Sequence, residues 1–193
     1  MPNNDKNKVK FGLKNVHYSV ATIDEATGAA TYGTPAKWPG AVNLNLEAQG
    51  EVNKFRADDV DYFISQGNDG YQGDLESAKI PDSFLVDVLG YIKHSDGMLY
   101  EDVDAQPKPF ALMFEFKGDK NKTRHVLYNC SAGRASIASN TTNATVEPVT
   151  DTVTITTGSI YNAVLGKNIA KGSCAEDDAP YSTFFSAVYQ PNP

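Results

Sequence analysis

Two acidic runs, Asp58-Asp59-Val60-Asp61 and Glu101-Asp102-Val103-Asp104, gather the carboxylates from which this chain could build a calcium site. Neither has the Asp-x-Asp-x-Asp-Gly spacing with a distal Glu that wraps a loop around the ion, so both read as solvated acidic loops. His17, His94 and His125 lack a partner at metal-ligand spacing, and a lone His on an alternating strand reads as a wet-face or satisfied polar residue. Gly166-Lys-Asn-Ile-Ala-Lys-Gly-Ser173 has a passing likeness to a phosphate cradle, but it lacks the glycine spacing and the preceding strand. There is no Gly-x-Ser-x-Gly elbow and no His-Glu-x-x-His helix. The residues therefore assign no catalytic, cofactor or metal site, and the expectation is a protein that is not an enzyme.

The elements around these residues are strands. Phe110-Ala-Leu-Met-Phe-Glu-Phe116, the turn Lys117-Gly-Asp-Lys-Asn-Lys122 and Thr123-Arg-His-Val-Leu-Tyr-Asn-Cys130 spell a hairpin of period two. Phe110, Leu112, Phe114 and Phe116 share one face, Ala111, Met113 and Glu115 the other. On the return strand Arg124, Val126, Tyr128 and Cys130 oppose His125, Leu127 and Asn129 in direction. On this alternation Cys130 is a buried free thiol. A disulfide to Cys174 stays open, because separation along the chain does not fix distance in space.

Further strands follow from alternation at Val9, Phe11 and Leu13, then Val16, Tyr18 and Val20, with a phase change near Lys14-Asn15 that predicts a bulge. Val42, Leu44 and Leu46 predict a strand with one wet face, and Tyr71–Ile80 and Thr150–Thr157 predict two more. Asp24–Pro35 reads as a loop or short hairpin, Lys93–Pro109 as loop, and Gly158–Pro180 as turns. One helix is expected, capped by Asp82, with a Phe84, Leu85, Val88 and Leu89 stripe and a stop at Gly90. Trp38 reads as a packed strand-end anchor. Tyr181–Tyr189 fits helix and strand spacing equally. The sum is a mainly-β antiparallel sandwich or barrel with one short flanking helix and extended arms.

Length, 193 residues, argues for a single domain able to bury a core without disulfides or metals. The net charge of −7 argues against nonspecific nucleic-acid binding, which needs basic patches to displace counterions. No stretch approaches the roughly 18–20 apolar residues of a membrane span. Residues 1–8 are polar, Asn-rich and charged, and are expected to form an N-terminal arm rather than a signal peptide. Assembly in the cytoplasm is the corresponding expectation.

The stretch Pro107–Cys130 resembles the major tail proteins, or tail tube proteins, of siphophages that infect Gram-positive bacteria. The resemblance extends through Phe11-Gly-Leu-Lys-Asn-Val-His-Tyr18, Pro39-Gly-Ala-Val42, Ala57-Asp-Asp59, Gly70-Tyr-Gln-Gly-Asp-Leu-Glu76, Ile80-Pro-Asp-Ser-Phe84 and Val88-Leu-Gly90. It runs in order and spacing from about Val9 to about Pro148 and weakens beyond. It implies a virion tail subunit that self-assembles into hexameric rings, stacked as a conduit for genome ejection. By the same resemblance its partners are the tape measure, distal tail and tail terminator proteins, phage DNA passes through the lumen without specific binding, and no cofactor or membrane is involved.

Glu51–Gly70 stands out against this background. It is polar and glycine-bounded, yet carries Phe55, Tyr62, Phe63 and Ile64, large apolar groups that are costly to leave in water. These four residues are the candidate assembly loop between rings, and the C-terminal segment is bounded at 181–193. The alternative reading is a monomeric β-sandwich that binds carbohydrate or a receptor, which exposed aromatics on one flat face with convergent polar groups would favour.

Overall fold

The computed structural model describes residues 9–141 and 148–191. The expected arm at 1–8 lies outside the described residues, as do the last two positions of the C-terminal segment. Strands β1 (Leu13–Ile23), β2 (Ala30–Tyr32), β3 (Ala36–Lys37), β4 (Ala41–Ala48), β5 (Val52–Ala57), β6 (Val60–Gln66) and β7 (Tyr71–Ser77) precede one short helix, α1 (Asp82–Asp87). After it come β8 (Ile92–Lys93), β9 (Leu99–Tyr100), β10 (Phe110–Phe116), β11 (Arg124–Ala132), β12 (Asp151–Gly158), β13 (Ile160–Asn162), β14 (Lys167–Ile169) and β15 (Lys171–Cys174).

The main sheet runs β2-β1-β10-β11-β12-β7-β4, with β3 also on β1 and β15 also on β11. Every pairing is antiparallel. The sheet curls until β1 and β4, at its two sides, come back into contact. Its interior holds Tyr18, Trp38, Leu75, Phe84, Phe110 and Ile155. The opposite face of β10 and β11 carries Ala111, Met113, Val126 and Tyr128, covered by Ile160, Cys174 and Phe184. Both faces of the central hairpin are thus buried, and each large side chain so enclosed is worth roughly 1.5–3 kcal/mol. The fold class is the expected one, mainly antiparallel β with a single short α-helix among the described residues.

That helix plugs the curled sheet. Phe84 meets Tyr18, Trp38 and Phe110 with ring centroids 5.1, 4.4 and 5.3 Å away. The Trp38 indole N–H donates to Ser77 Oγ at 2.7 Å, which satisfies the one polar atom of a residue otherwise packed as expected. Asp82 is not the cap. Pro81 occupies that position without a side-chain bond, and Asp82 sits in the first turn, where its carboxylate pairs with Lys79 at 3.4 Å. The helix ends at Asp87 with Val88 as its C-cap, two residues before the expected stop at Gly90, which turns the chain at φ 80°.

Several expectations need correction. The Val9–Leu13 alternation is not strand before Leu13, because Gly12 turns the backbone at φ 72°. Phe11 instead lies over Gly118, where even a Cβ would fall 2.3 Å from its ring. The bulge near Lys14-Asn15 is present, with Asn15 at φ 52° and the register slipping before His17. Val42 is 55 % exposed, because β4 bulges between Ala41 and Asn43 and throws it off the Leu44–Leu46 face.

Cys130 does not share a face with Val126 and Tyr128. The β10–β11 register slips between Leu112↔Leu127 and Phe110↔Cys130, and this extra residue turns Cys130 into the interior beside Leu127. Gly158–Pro180 is not merely turns: β13 pairs with β14, and β15 completes the edge of β11. The loop after α1 contains the small β8–β9 ladder. Tyr181–Tyr189 follows its helical spacing, with a 3-10 turn over Ala179–Thr183 and Phe184 buried.

Candidate assembly hairpin

Glu51–Gly70 is a hairpin rather than a loop. β5 and β6 pair from Val52↔Gln66 to Ala57↔Val60, joined by Asp58 and Asp59, both at positive φ (51° and 62°). Two left-handed residues in a two-residue connection make the primed turn whose twist suits paired strands, and Asp tolerates that conformation. The sequence Ala57-Asp-Asp-Val60 carried that signal.

The register sorts the four candidate residues. Phe55 lies opposite Phe63, and the ladder then slips so that Arg56 faces Asp61, leaving Tyr62 as the extra residue of a bulge. Tyr62 and Phe63 therefore both oppose Phe55. Ala57 and Val60 continue the same face toward the tip. Ile64 lies opposite Lys54, on the other face. There Asp61 binds Lys54 at 3.1 Å and Arg56 at 3.4 Å, a salt-bridged polar side. The register thus places Phe55, Tyr62 and Phe63 on one face, and Ile64, with Val52, on the salt-bridged other.

None of the four is shielded by its own domain. Phe55 is 62 %, Tyr62 73 %, Phe63 61 % and Ile64 56 % exposed. The neck is backbone. Gln49 and Gly70, then Glu51 and Gly67, are joined by N–H to carbonyl bonds of 2.9 and 2.8 Å. At Gly70 (φ 89°) a Cβ would stand 1.9 Å from the Thr157 carbonyl oxygen, so only glycine lets the ribbon leave the sheet there.

The remaining candidates fall into structural roles. Asp58 and Asp59 form the hairpin turn, and Glu101 pairs with Arg134 at 3.2 Å. Asp102 accepts the Asp104 N–H at 2.9 Å. Gly166–Ser173 spans β14 and most of β15, with no helix behind it. His17 stacks on Phe185 at 4.7 Å, and His94 lies 3.1 Å from Asp96. His125 lies against Phe114 and Phe116, at 5.4 and 5.5 Å. Burial holds the His125 pKa below its ordinary value, with Lys171 and Lys10 adding to the effect and Asp119 opposing it.

One constellation escaped sequence reasoning. Glu115 is 3 % exposed and accepts bonds from Lys14 (3.0 Å), Asn15 (2.6 Å) and Arg124 (3.0 Å). Burial alone would raise its pKa, but the three donors outweigh that and hold the carboxyl below its usual range. The only signal was a charged residue within an apolar strand. Arg124 also donates to the Tyr181 carbonyl and so fastens the C-terminal segment. Tyr128 and Gln190 fasten it further along, through the Tyr189 and Ala30 carbonyls at 3.1 and 2.9 Å.

A sequence profile of the phage tail tube protein family matches residues 1–154. The chain belongs to that family. As a tail tube protein it is a structural component of the virion tail, not an enzyme, and it self-assembles into the tail tube. No curated protein matches it. Among solved structures, a chain of the six-fold symmetrised cryo-EM structure of the anti-feeding prophage baseplate aligns over 89 % of this chain and 98 % of that one. The TM-score is 0.41 at 8 % identity.

Proposed function

We propose that this tail tube protein acts as a single domain over 1–193, forming hexameric rings that stack through the 51–70 hairpin. The observation that carries the proposal is the Phe55, Tyr62 and Phe63 face, which is apolar, contiguous and left in water by its own domain. A face of this kind on a structural protein marks a contact still to be made. Each large side chain buried on stacking contributes roughly 1.5–3 kcal/mol, repeated for every subunit of a ring. Ring and stacking interfaces should each exceed roughly 1,000 Å². Exposed sheet edges, such as the outer side of β4, are used up in pairing with the neighbouring subunit.

The phage is a siphophage of Gram-positive bacteria on this reading, supported by the ordered series of segments from Val9 to Pro148. The tape measure, distal tail and tail terminator proteins are its partners inside and at the two ends of the tube. Duplex DNA carries one negative charge per about 1.7 Å of axis, so a basic wall would retain it. The net charge of −7 supports an inner wall richer in Asp and Glu than in Lys and Arg, a sleeve DNA passes without sticking. Negative-stain imaging of purified protein tests the assembly: rings and filaments are expected, and uniform small particles at millimolar concentration would refute it. Salt-sensitive binding of duplex DNA inside the tubes would refute the acidic wall.

A further inference from the structure

The assembly hairpin and an apolar notch occupy opposite ends of one ribbon. β4 and β7 pair from Ala48↔Tyr71 at one end to Ala41↔Ser77 at the other. The hairpin departs from the first end. At the second, the Ala78 N–H donates to the Gly40 carbonyl at 2.8 Å, and Pro39, Gly40, Ala78, Ile80 and Pro81, with Lys79 and Asp82, line an open hollow of about 390 Å³. Eight residues of strand separate hairpin and hollow by roughly 25 Å, at about 3.3 Å per residue.

We infer that this notch is the receptor for the hairpin of a second copy of this chain in the adjoining ring. The inference rests on the stacking role proposed above and names the surface that receives it. Three features select the occupant. A stack that continues in one direction needs a projection at one end of the subunit and its complement at the other, and these two features are so placed. Apart from Lys79 and Asp82 at its rim, the hollow is lined by Pro, Gly, Ala and Ile, matching the Phe55, Tyr62 and Phe63 face in polarity. Charge matches as well. The tip bears the adjacent carboxylates Asp58 and Asp59, and the notch rim bears Lys79, 78 % exposed and paired with the exposed Asp82 at 3.4 Å. A carboxylate brought by the neighbour competes with Asp82 for that ammonium while the aromatic face fills the hollow.

The test uses the full chain with its buried native cysteines retained. Ala78→Arg fills the notch from an exposed position. Thermal unfolding and ring formation are expected to be unchanged, while the fraction sedimenting as tubes falls roughly tenfold or more. Independently, tubes of Val60→Cys with Ala78→Cys are expected to yield a ladder of covalent multimers on oxidation, absent from either single variant. Normal tubes from Ala78→Arg, or no ladder from the double-cysteine tubes, overturns the inference. So does a ladder from Val60→Cys with Lys171→Cys, which would put the hairpin in a second hollow, lined by Leu46, Tyr71, His125 and Lys171 at its own end of the ribbon. Tyr62→Ala with Phe63→Ala separates the two levels. If that variant also builds normal tubes, the stacking role itself fails; if it blocks tubes and Ala78→Arg does not, only the notch is lost.

Discussion

Arg124 lies over Tyr181, its guanidinium carbon 3.7 Å from the ring centroid, while its Nε holds the buried Glu115 at 3.0 Å. Arg suits both tasks because its planar fork stacks on rings and still donates in plane. One side chain thereby joins β10, β11 and the C-terminal segment.

Arg124→Ala should therefore destabilise the subunit by about 3 kcal/mol or more, since it leaves a buried carboxylate short of a donor and removes the stack under Tyr181. Arg124→Lys should recover only part of this. Chemical denaturation measures it; a loss below ~1 kcal/mol for Arg124→Ala would show the cluster to be incidental.

The two faces of the hairpin give a graded series. Tyr62→Ala with Phe63→Ala should keep the unfolding midpoint, because neither side chain is covered in the subunit, and abolish tube growth. Ile64→Ala, on the salt-bridged face, should impair growth much less. Equal defects in sedimentation for Ile64 and Phe63 variants would mean the two faces are used alike.

Acid should weaken the subunit in two steps. The folded-state pKa of His125 is lowered, so below its ordinary 6.5 the unfolded chain binds the proton more readily and stability declines as pH falls. The folded-state pKa of Glu115 is also lowered, so its contribution is whole above 4.5 and is lost as pH falls through the folded value. His125→Phe should flatten the first step and spare the second. A stability profile in which His125→Phe changes neither would contradict the assignment.

The two thiols should be silent. Burial raises the pKa of Cys130 far above its ordinary value, and burial followed by Asp178 raises that of Cys174, so little thiolate forms. Both are free, and they lie in the two separate apolar clusters. Native protein should resist a thiol reagent that labels both cysteines in denaturant. A Cys130–Cys174 disulfide on mild oxidation would contradict this packing.

The central hairpin was legible because each residue of Phe110–Phe116 has a strand period to obey and a core on either side. What escaped follows from physics that alternation does not encode. A single inserted residue re-aims Cys130, and another places Tyr62 beside Phe63, yet neither changes the local composition. β13, β14 and β15 are short, with Lys, Asn and Gly among few apolar residues, and β15 forms because β11 offers an unpaired edge. In the hairpin, the apolar cluster was visible, but its division into two faces required the register. The Glu115 cluster depends on Lys14 and Arg124 converging from different strands, and their spacing in sequence says nothing of it.

The outer edge of β11 is divided: Asn129–Ala132 pair with β12, and Arg124–Leu127 pair with β15. Each of the two apolar clusters thus has one of its walls hung from a different half of the same strand. Neither cluster can open without stripping β11 of partners that the other cluster also relies on. The subunit should lose structure as one cooperative unit, and β11 amides should exchange with solvent only through global opening. A building block of this design offers no half-open intermediate with strand edges bared, the form in which β-rich subunits stick to one another out of register before they reach their place in a tube.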